Sequence, residues 1–242
     1  MKKPILAALA LCYALGAAAQ TPDTAAPEGY RFTDVKILPV TPVKDQSRSG
    51  TCWCYSTLSF LESEILRAGG PELDLSEMWI VRNIYFEKAV KYVRLHGSLN
   101  LAVGGQAHDV LHGIEAYGIV PEEVYPGLNY GYDKPNFDEI DAVIKANADA
   151  VIKAGGKRSD SRLTTAWQAG LNGIRDAYCG PMPGKFTYRG REYTPASFAA
   201  SLPIDLGDYI EFTSFTHHPF DTEFAMEVPD NWNWDKVWNV PL

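Results

Sequence analysis

One short segment, Gln46 to Thr57, constrains this chain more than any other. It reads Gln-Ser-Arg-Ser-Gly-Thr-Cys-Trp-Cys-Tyr-Ser-Thr and precedes a long stretch of apolar residues at helical spacing. The layout predicts that Cys52 lies in the first turn of a helix, where unpaired N–H groups and the helix dipole favour a thiolate. A thiolate is a nucleophile, and the Gln46 amide six residues upstream can donate a hydrogen bond to a developing oxyanion. The segment therefore predicts a nucleophile and an oxyanion donor.

The amino terminus has the features of a secretory signal peptide. Met1-Lys2-Lys3 is basic, an apolar run follows from Ile5 to Leu15, and small residues at Ala17–Ala19 predict cleavage before Gln20. The apolar run is short for a membrane span. We therefore expect residues 1–19 to be a signal peptide, residues 20–31 a mobile leader, and the mature protein to be exported, periplasmic or secreted.

The charge of the mature chain limits its partners. Removing Lys2 and Lys3 leaves 20 basic against 30 acidic residues, a net charge of −10. An acidic protein without a Lys/Arg cluster is a poor candidate for binding nucleic acid or an anionic membrane, so neither partner is expected. The remaining length, about 220 residues, suits one large domain or a domain and a half.

Three cysteines remain after removal of the signal peptide, which contains Cys12. They are Cys52, Cys54 and Cys179, and an odd number in an exported protein indicates one free, reactive thiol. Cys54 can pair with Cys179, or both can be buried as small hydrophobic residues. The sequence leaves these two alternatives open.

Periodicity, caps and Gly/Pro punctuation predict a chain that is helix-rich at first and strand-like at its end. The predicted helices cover about residues 52–68, 77–95, 106–117, 137–154 and 161–178. Ser76 is the expected cap of the second helix, and Asn136 with Glu139 resembles a capping box for the fourth. A hairpin is predicted to turn at Arg189–Gly190, and a short helix to start at Thr194–Pro195.

The Gln46–Trp53 pattern resembles the segment around the nucleophile of papain-like cysteine peptidases. Further segments resemble one branch of that family, bleomycin hydrolase and aminopeptidase C: Leu75-Ser76-Glu77, Gly104-Gly105-Gln106, Tyr117 to Pro126, Tyr193 to Phe198 and Trp238 to Leu242. The likeness covers roughly residues 32–242. It implies an α+β, papain-like fold with a helical lobe and helical insertions, in which the β-barrel lobe is largely missing from this chain.

The resemblance also implies roles for individual residues. Cys52 would be the nucleophile, and Gln46 would form the oxyanion hole together with the Cys52 backbone N–H. Gly50, Gly104 and Gly105 would bind substrate, since a side chain at the two latter positions would block pairing with an extended peptide. Trp53 would pack beneath the site, although a plain core aromatic fits equally well. No cofactor is implied.

The general base of the family is not found by its sequence pattern. Papain-like enzymes use a histidine far downstream of the cysteine and an asparagine, in an Asn-Ser-Trp segment, that orients it. Asn231-Trp232-Asn233-Trp234 is not that motif, and the sequence ends before the barrel that carries both residues in the family. The histidines present are His96, His108, His112, His217 and His218.

Two other roles for the histidines remain open. His108 and His112 share a helix face at i, i+4 and could bind a metal with Cys52 and Cys54, or a local histidine such as His217 or His218 could replace the base. Two ligands on one helix do not make a site, so we expect no metal.

Three functions compete at this stage. The first is an exported cysteine peptidase of aminopeptidase type that cleaves peptides through a thioester and is inactive or incomplete as this chain. The second is a non-catalytic module that binds peptides in the same cleft. The third is a site completed by a missing C-terminal half, separately encoded, or by a homo-oligomer. We also expect poor folding of the chain alone, because an apolar face would stay in water.

Overall fold

The computed structural model describes residues 29–30, 32–156 and 162–242. The predicted signal peptide, residues 1–19, lies outside the described residues, as does most of the predicted leader. The chain divides into two units, one ending at Ile37 and the other formed by Leu38–Leu242. In the first unit, residues 32–37 are exposed and form neither helix nor strand.

Five long helices lie close to their predicted positions. They are α1 (Cys52–Arg67), α2 (Glu77–Arg94), α3 (Ala107–Tyr117), α4 (Asp138–Gly155) and α5 (Ala166–Cys179), and a short α6 (Pro195–Ala199) follows. Helix α5 begins at Ala166, which is later than predicted, and residues 162–164 are not helical. Ser161, the predicted start, lies outside the described residues.

Helix α2 is the centre of the helical core. The Ser76 hydroxyl accepts a hydrogen bond from the Trp79 backbone N–H at 3.1 Å, as expected for its cap. Most residues of α2 are buried on all sides, and α1, α3, α4 and α5 all pack against it. A helix buried on every face defines a core rather than a surface. Its buried residues include Lys88, which is charged.

The predicted capping box at the start of α4 is wrong. The helix begins at Asp138 without a side-chain cap, and the Asn136 side chain accepts from the Asp138 N–H at 3.0 Å. Glu139 instead accepts a hydrogen bond from the Tyr178 hydroxyl at 2.6 Å. The reason is tertiary, since Asn136 forms an isolated parallel bridge with Arg48 that fixes the chain entering α4.

The predicted hairpin and the short helix after it are confirmed. Strands β1 (Phe186–Tyr188) and β2 (Arg191–Tyr193) pair antiparallel. Arg189 and Gly190 have φ values of 48° and 79° in the turn, as a tight hairpin turn with two positive φ angles requires. Thr194 then caps α6 by accepting from the Ser197 N–H at 3.1 Å.

A small sheet near the carboxyl end completes the described fold. It contains β3 (Phe212–Thr213), β4 (Thr222–Ala225) and β5 (Lys236–Asn239) in the order β3-β5-β4, with β3 parallel and β4 antiparallel to β5. The predicted α+β architecture is confirmed, and residues 29–30, 32–156 and 162–242 include no closed barrel. In the same part of the chain, no helix has both the length and the apolar character needed to cross a bilayer.

Candidate active site

Cys52 is the first residue of α1, in the predicted first turn of the helix, and its side chain is exposed. The preceding Thr51 is buried, and its hydroxyl pairs with Ser49 Oγ at 2.5 Å instead of capping the helix. The first N–H groups of a helix have no intrahelical acceptor. Within the described residues, nothing accepts a hydrogen bond from the Cys52 backbone N–H. The Cys52 thiol therefore lies next to a backbone N–H that has no hydrogen-bond acceptor among the described residues.

Gln46 supplies a second unpaired polar group in the same loop. Its backbone carbonyl accepts from Ser49 N at 3.3 Å and from Ser49 Oγ at 2.8 Å, which folds the loop back on itself. Its side-chain Oε1 is buried and has no hydrogen-bond partner in the described part of the chain. The side-chain nitrogen of Gln46 takes part in no hydrogen bond within the described residues either, so its N–H groups are available to a ligand.

The loop that carries Gln46 is held in place by the segment before α4. Arg48 N donates to the Pro135 carbonyl and Phe137 N donates to the Arg48 carbonyl, both at 3.1 Å. Asp45 and Lys134 add an exposed ion pair at 2.7 Å. The two backbone hydrogen bonds anchor the loop more firmly than the exposed ion pair does, since such pairs contribute at most about 1 kcal/mol.

Trp53 joins this loop to the glycine-containing segment before α3. Its indole Nε1 donates to the Val103 carbonyl at 2.9 Å. Gly50 has φ +67°, and a Cβ there would lie 2.7 Å from Val103 Cγ2. A Cβ on Gly105 would lie 2.8 Å from the Trp53 ring. Gly50 thus packs closely against Val103, and Gly105 packs closely against Trp53. Both positions require glycine because a side chain would overlap these neighbours.

The backbone carbonyl of Gly104 is bound by a buried lysine that the sequence analysis did not identify. Lys88 Nζ donates to the carbonyl oxygens of Ala102 and Gly104, each at 2.5 Å. Burial lowers the pKa of Lys88 to about 8, while the nearby carboxylates of Asp109 and Asp230 oppose this shift. A Cβ on Gly104 would overlap the Asp230 carboxylate. Gly104 therefore lies between a buried ammonium and an acidic side chain.

Asp109 is a second missed residue, and it ties three segments together. It accepts from the Gln106 N–H and from Trp232 Nε1, both at 2.8 Å, and its side chain lies against Gly105. Burial raises the pKa of Asp109 despite these hydrogen bonds. The Gln106-x-x-Asp109 spacing is typical of a capping box, a signal that could have identified it.

The other two described cysteines, Cys54 and Cys179, are free and buried. The disulfide between Cys54 and Cys179 is therefore absent, and the alternative reading as buried small residues is confirmed. Burial raises the pKa of the Cys54 thiol well above its usual range and that of Cys179 to about 11. Among the three described cysteines, Cys52 is the accessible thiol.

His108 and His112 do not converge on one site. His108 Nδ1 lies 2.5 Å from Glu211 Oε2, and His108 Nε2 lies 3.6 Å from Asp235 Oδ2. His112 Nε2 contacts Glu87 at 3.0 Å. The i, i+4 spacing therefore does not make a shared metal site with the two cysteines.

No histidine is positioned as a partner of Cys52. His96 is exposed just beyond α2, and His217 and His218 contact Glu227. Across the described residues, neither a hydrogen bond nor an ion pair joins a histidine ring to the Cys52 side chain.

Comparison with known proteins identifies the family to which this chain belongs. Residues 26–151 match the model of the papain family of cysteine proteases, which is more than half of the chain. Aminopeptidase G of Lactobacillus delbrueckii subsp. lactis is 24% identical over 238 residues, covering 80% of this chain and 52% of that protein. Cathepsin K of Gallus gallus is 36% identical over 70 residues, covering 25% of this chain and 21% of that protein.

A solved structure shows the same fold. The crystal structure of PepW from Lactobacillus rhamnosis matches with a TM-score of 0.65 at 22% identity, covering 100% of this chain and 63% of that chain. The chain spans about half the length of aminopeptidase G. The similarity therefore covers the helical part and the small sheet described above, together with the loop that carries Cys52.

Proposed function

Because this chain belongs to the papain family of cysteine proteases, we propose that Cys52 is the nucleophile of an exported cysteine peptidase of aminopeptidase type. The Cys52 sulfur attacks a peptide carbonyl carbon, a thioester forms, and the amine leaves with a proton. Water then hydrolyses the thioester and releases the acid. The observation that carries the proposal is an exposed thiol next to an unpaired backbone N–H, in a segment where the Gln46 side-chain oxygen also has no partner among the described residues.

The Cys52 backbone N–H and the Gln46 side-chain amide form the proposed oxyanion hole. Negative charge develops on the carbonyl oxygen as the sulfur attacks, and the Cys52 N–H and the Gln46 amide are available to receive it. The backbone N–H of Cys52 is fixed by the start of α1 and needs no reorganisation when the charge appears. Loss of one such donor typically costs about 10²–10³ in rate.

The glycine-containing segment is the proposed peptide-binding rim. Neither the N–H nor the C=O of Gly105 takes part in a hydrogen bond within the described residues, so both can pair with an extended peptide. Gly50, in the nucleophile loop, packs against Val103, which precedes the rim by one residue. Peptides are the substrate class expected of this family.

The general base is the component that these residues do not supply. Four of the five histidines contact carboxylates away from Cys52, and His96 is exposed just beyond α2. We propose that turnover needs a histidine and an asparagine from a further segment, a separately encoded half or another copy of the chain. The chain alone would then bind peptide and react slowly through Cys52.

The engaged histidines favour one alternative function, a peptide-binding module without turnover. It would use the same rim at Gly104–Gly105 and the same loop at Gln46 to hold a peptide. Both functions predict peptide binding, but only the peptidase predicts cleavage that depends on Cys52.

The test measures cleavage and binding on the same protein. Fluorogenic amino-acid and peptide substrates, with free and acetylated amino termini, are incubated with the chain, with Cys52→Ser and with Cys179→Ser as the matched control. Cleavage that is lost in Cys52→Ser and kept in Cys179→Ser supports the peptidase. Saturable binding of peptide with neither cleavage nor covalent reaction at Cys52 supports the binding module, and the absence of both cleavage and binding contradicts both functions.

Export is tested separately, by expression of the whole chain in a Gram-negative host. A periplasmic product that begins at Gln20 is the expected result of signal-peptide cleavage. A cytoplasmic product that keeps residues 1–19 would contradict the proposal.

A further inference from the structure

Two histidines and a glutamate meet near the small sheet, far along the chain from Cys52. His217 and His218 lie in the turn between β3 and β4, and Glu227 lies just beyond β4. His218 Nε2 is 2.8 Å from Glu227 Oε1, and His217 Nε2 is 3.7 Å from Glu227 Oε2. One donor atom from each of the three side chains lies within 4.8 Å of the other two.

The turn that carries both histidines is fixed by a buried asparagine. Asn239 in β5 is fully buried, and its Nδ2 donates to the carbonyls of Phe215 and His218 at 3.0 Å and of Pro219 at 3.1 Å. Its Oδ1 accepts from the Phe215 N–H at 2.8 Å. The His218 ring stacks on Phe224 with centroids 3.9 Å apart. The backbone and one imidazole are thus held before any ligand arrives.

The chemistry of the three donors suits a borderline divalent metal ion. Two imidazoles and a carboxylate, with a fourth position open to water, are a common ligand set for Zn²⁺. In a tetrahedral site with bonds of about 2.0–2.2 Å, ligand atoms lie roughly 3.3–3.6 Å apart. His218 Nε2 lies 2.8 Å from Glu227 Oε1 and His217 Nε2 lies 3.7 Å from Glu227 Oε2, so each imidazole is close to that spacing from one oxygen of the carboxylate.

Electrostatics also favours a cation here. Glu227 has no lysine or arginine partner among the described residues, and its carboxylate contacts the two imidazoles and its own backbone N–H. The other mixed cluster, His108 with Asp109 and Asp235, is less suitable. There, both Asp109 oxygens already accept hydrogen bonds and the second ring nitrogen of His108 is paired with Glu211.

We propose that His217, His218 and Glu227 bind one divalent transition-metal ion of the zinc type. The ion joins the turn before β4 to the segment after it, so it stabilises the small sheet rather than taking part in peptide chemistry. This departs from the expectation of no metal drawn from the sequence. It does not depend on the peptidase proposal, because its ligands are separate from Cys52 and Gln46.

The experiment measures metal binding directly on the whole chain without an affinity tag. After treatment with a chelator, Co²⁺ is titrated and its d–d absorption is followed, and Zn²⁺ is then added to displace it. The variants are His217→Ala, His218→Ala and Glu227→Gln. His112→Ala is the matched control, since His112 also contacts a glutamate at 3.0 Å.

The proposal predicts one Co²⁺ per chain with the intense absorption of four-coordination, displaced by Zn²⁺, and a thermal midpoint that rises with Zn²⁺. Each of the three site variants should weaken binding at least tenfold, and His112→Ala should not. Glu227→Gln preserves size and lies on the surface, so it keeps the test valid if a histidine variant folds poorly. Equal affinity of Glu227→Gln and the unmodified chain, or no binding at 100 µM Co²⁺, would overturn the proposal.

Discussion

Lys88 Nζ lies 2.5 Å from the carbonyl oxygen of Gly104, and this buried contact joins the core helix α2 to the rim of the proposed cleft. Lys88 is 1% exposed, and its ammonium also donates to the Ala102 carbonyl. A buried lysine is costly unless its charge is compensated by polar groups. The rim segment supplies those groups, so the shape of the rim depends on a charge inside the core.

Replacing Lys88 with methionine should damage the rim more than it damages the fold. The variant removes a buried charge, which is favourable, but leaves the carbonyls of Ala102 and Gly104 unpaired at about 1–3 kcal/mol each. We expect a loss of about 1–3 kcal/mol in the free energy of unfolding and at least tenfold weaker peptide binding. Urea unfolding and peptide titration measure the two effects.

Lys145→Met is the control for that variant, because Lys145 is a surface residue that pairs with Asp149. It should leave peptide binding unchanged. Peptide binding that is equally strong in Lys88→Met and in the unmodified chain would show that Lys88 has no part in shaping the rim.

Gly105→Ala should be destabilising for a reason specific to its surroundings. The added methyl group would lie 2.8 Å from the Trp53 ring and 2.9 Å from Asp109 Oδ2, both held by buried contacts. Overpacking of this kind typically costs about 1–3 kcal/mol. Gly184→Ala, where nothing lies within 4 Å, serves as the control in the same thermal unfolding experiment. Equal midpoints for the two variants would contradict the described contact.

The stability of the chain should depend on pH through Glu122. Burial raises the pKa of Glu122 to about 8, and the carboxylates of Glu77 and Asp74 add to this while Lys44 opposes it. A folded-state pKa above the unfolded value of 4.5 means that the contribution is complete below pH 4.5 and is lost as pH rises through 8. Stability from this group therefore falls between these pH values.

Glu122→Gln removes that dependence. The neutral amide keeps the size of the protonated acid, so the variant should match the unmodified chain near pH 4.5 and be more stable at pH 9, by on the order of 4 kcal/mol. Urea unfolding at both pH values, with Glu123→Gln as the neighbouring control, measures the difference. A parallel decline of both proteins toward pH 9 would argue against a buried, protonated Glu122.

The exposed aromatic pair on the small sheet should promote self-association. Phe212 and Trp238 are partners on neighbouring strands and are 67% and 39% exposed. Apolar side chains that lie together in water favour association. Sedimentation velocity at rising concentration should show association that the double variant Phe212→Ser/Trp238→Ser reduces and Leu163→Ser does not. A chain that stays monomeric throughout the series would contradict this expectation.

The features that the sequence predicted well depend on neighbouring residues. The turn at Arg189–Gly190 needs positive φ angles, and Ser76 and Thr194 cap helices through residues three positions later. The position of Cys52 at the start of α1 likewise follows from the Gly-Thr turn and the apolar periodicity behind it. Such interactions leave a local pattern in the sequence.

The features that it missed depend on distant residues. Glu211 contacts His108 across 103 positions, and Trp232 contacts Asp109 across 123. The capping box expected at Asn136 failed because pairing with Arg48 determined how the chain enters α4. Local patterns cannot indicate which distant group will satisfy a buried carboxylate, so the supports of the site appeared only with the fold.

The most direct test of the central claim is residue-resolved labelling of the three cysteines. A peptide carrying an electrophilic carbonyl at its carboxyl end is added in slight excess at pH 7.5, and intact mass and peptide mapping locate the adduct. We predict one adduct on Cys52, abolished by free competing peptide and slowed roughly 100-fold in Gln46→Ala. The buried thiols of Cys54 and Cys179 should stay unlabelled. Labelling that is equal at Cys52 and Cys179, or that proceeds at the same rate in Gln46→Ala, would contradict the account.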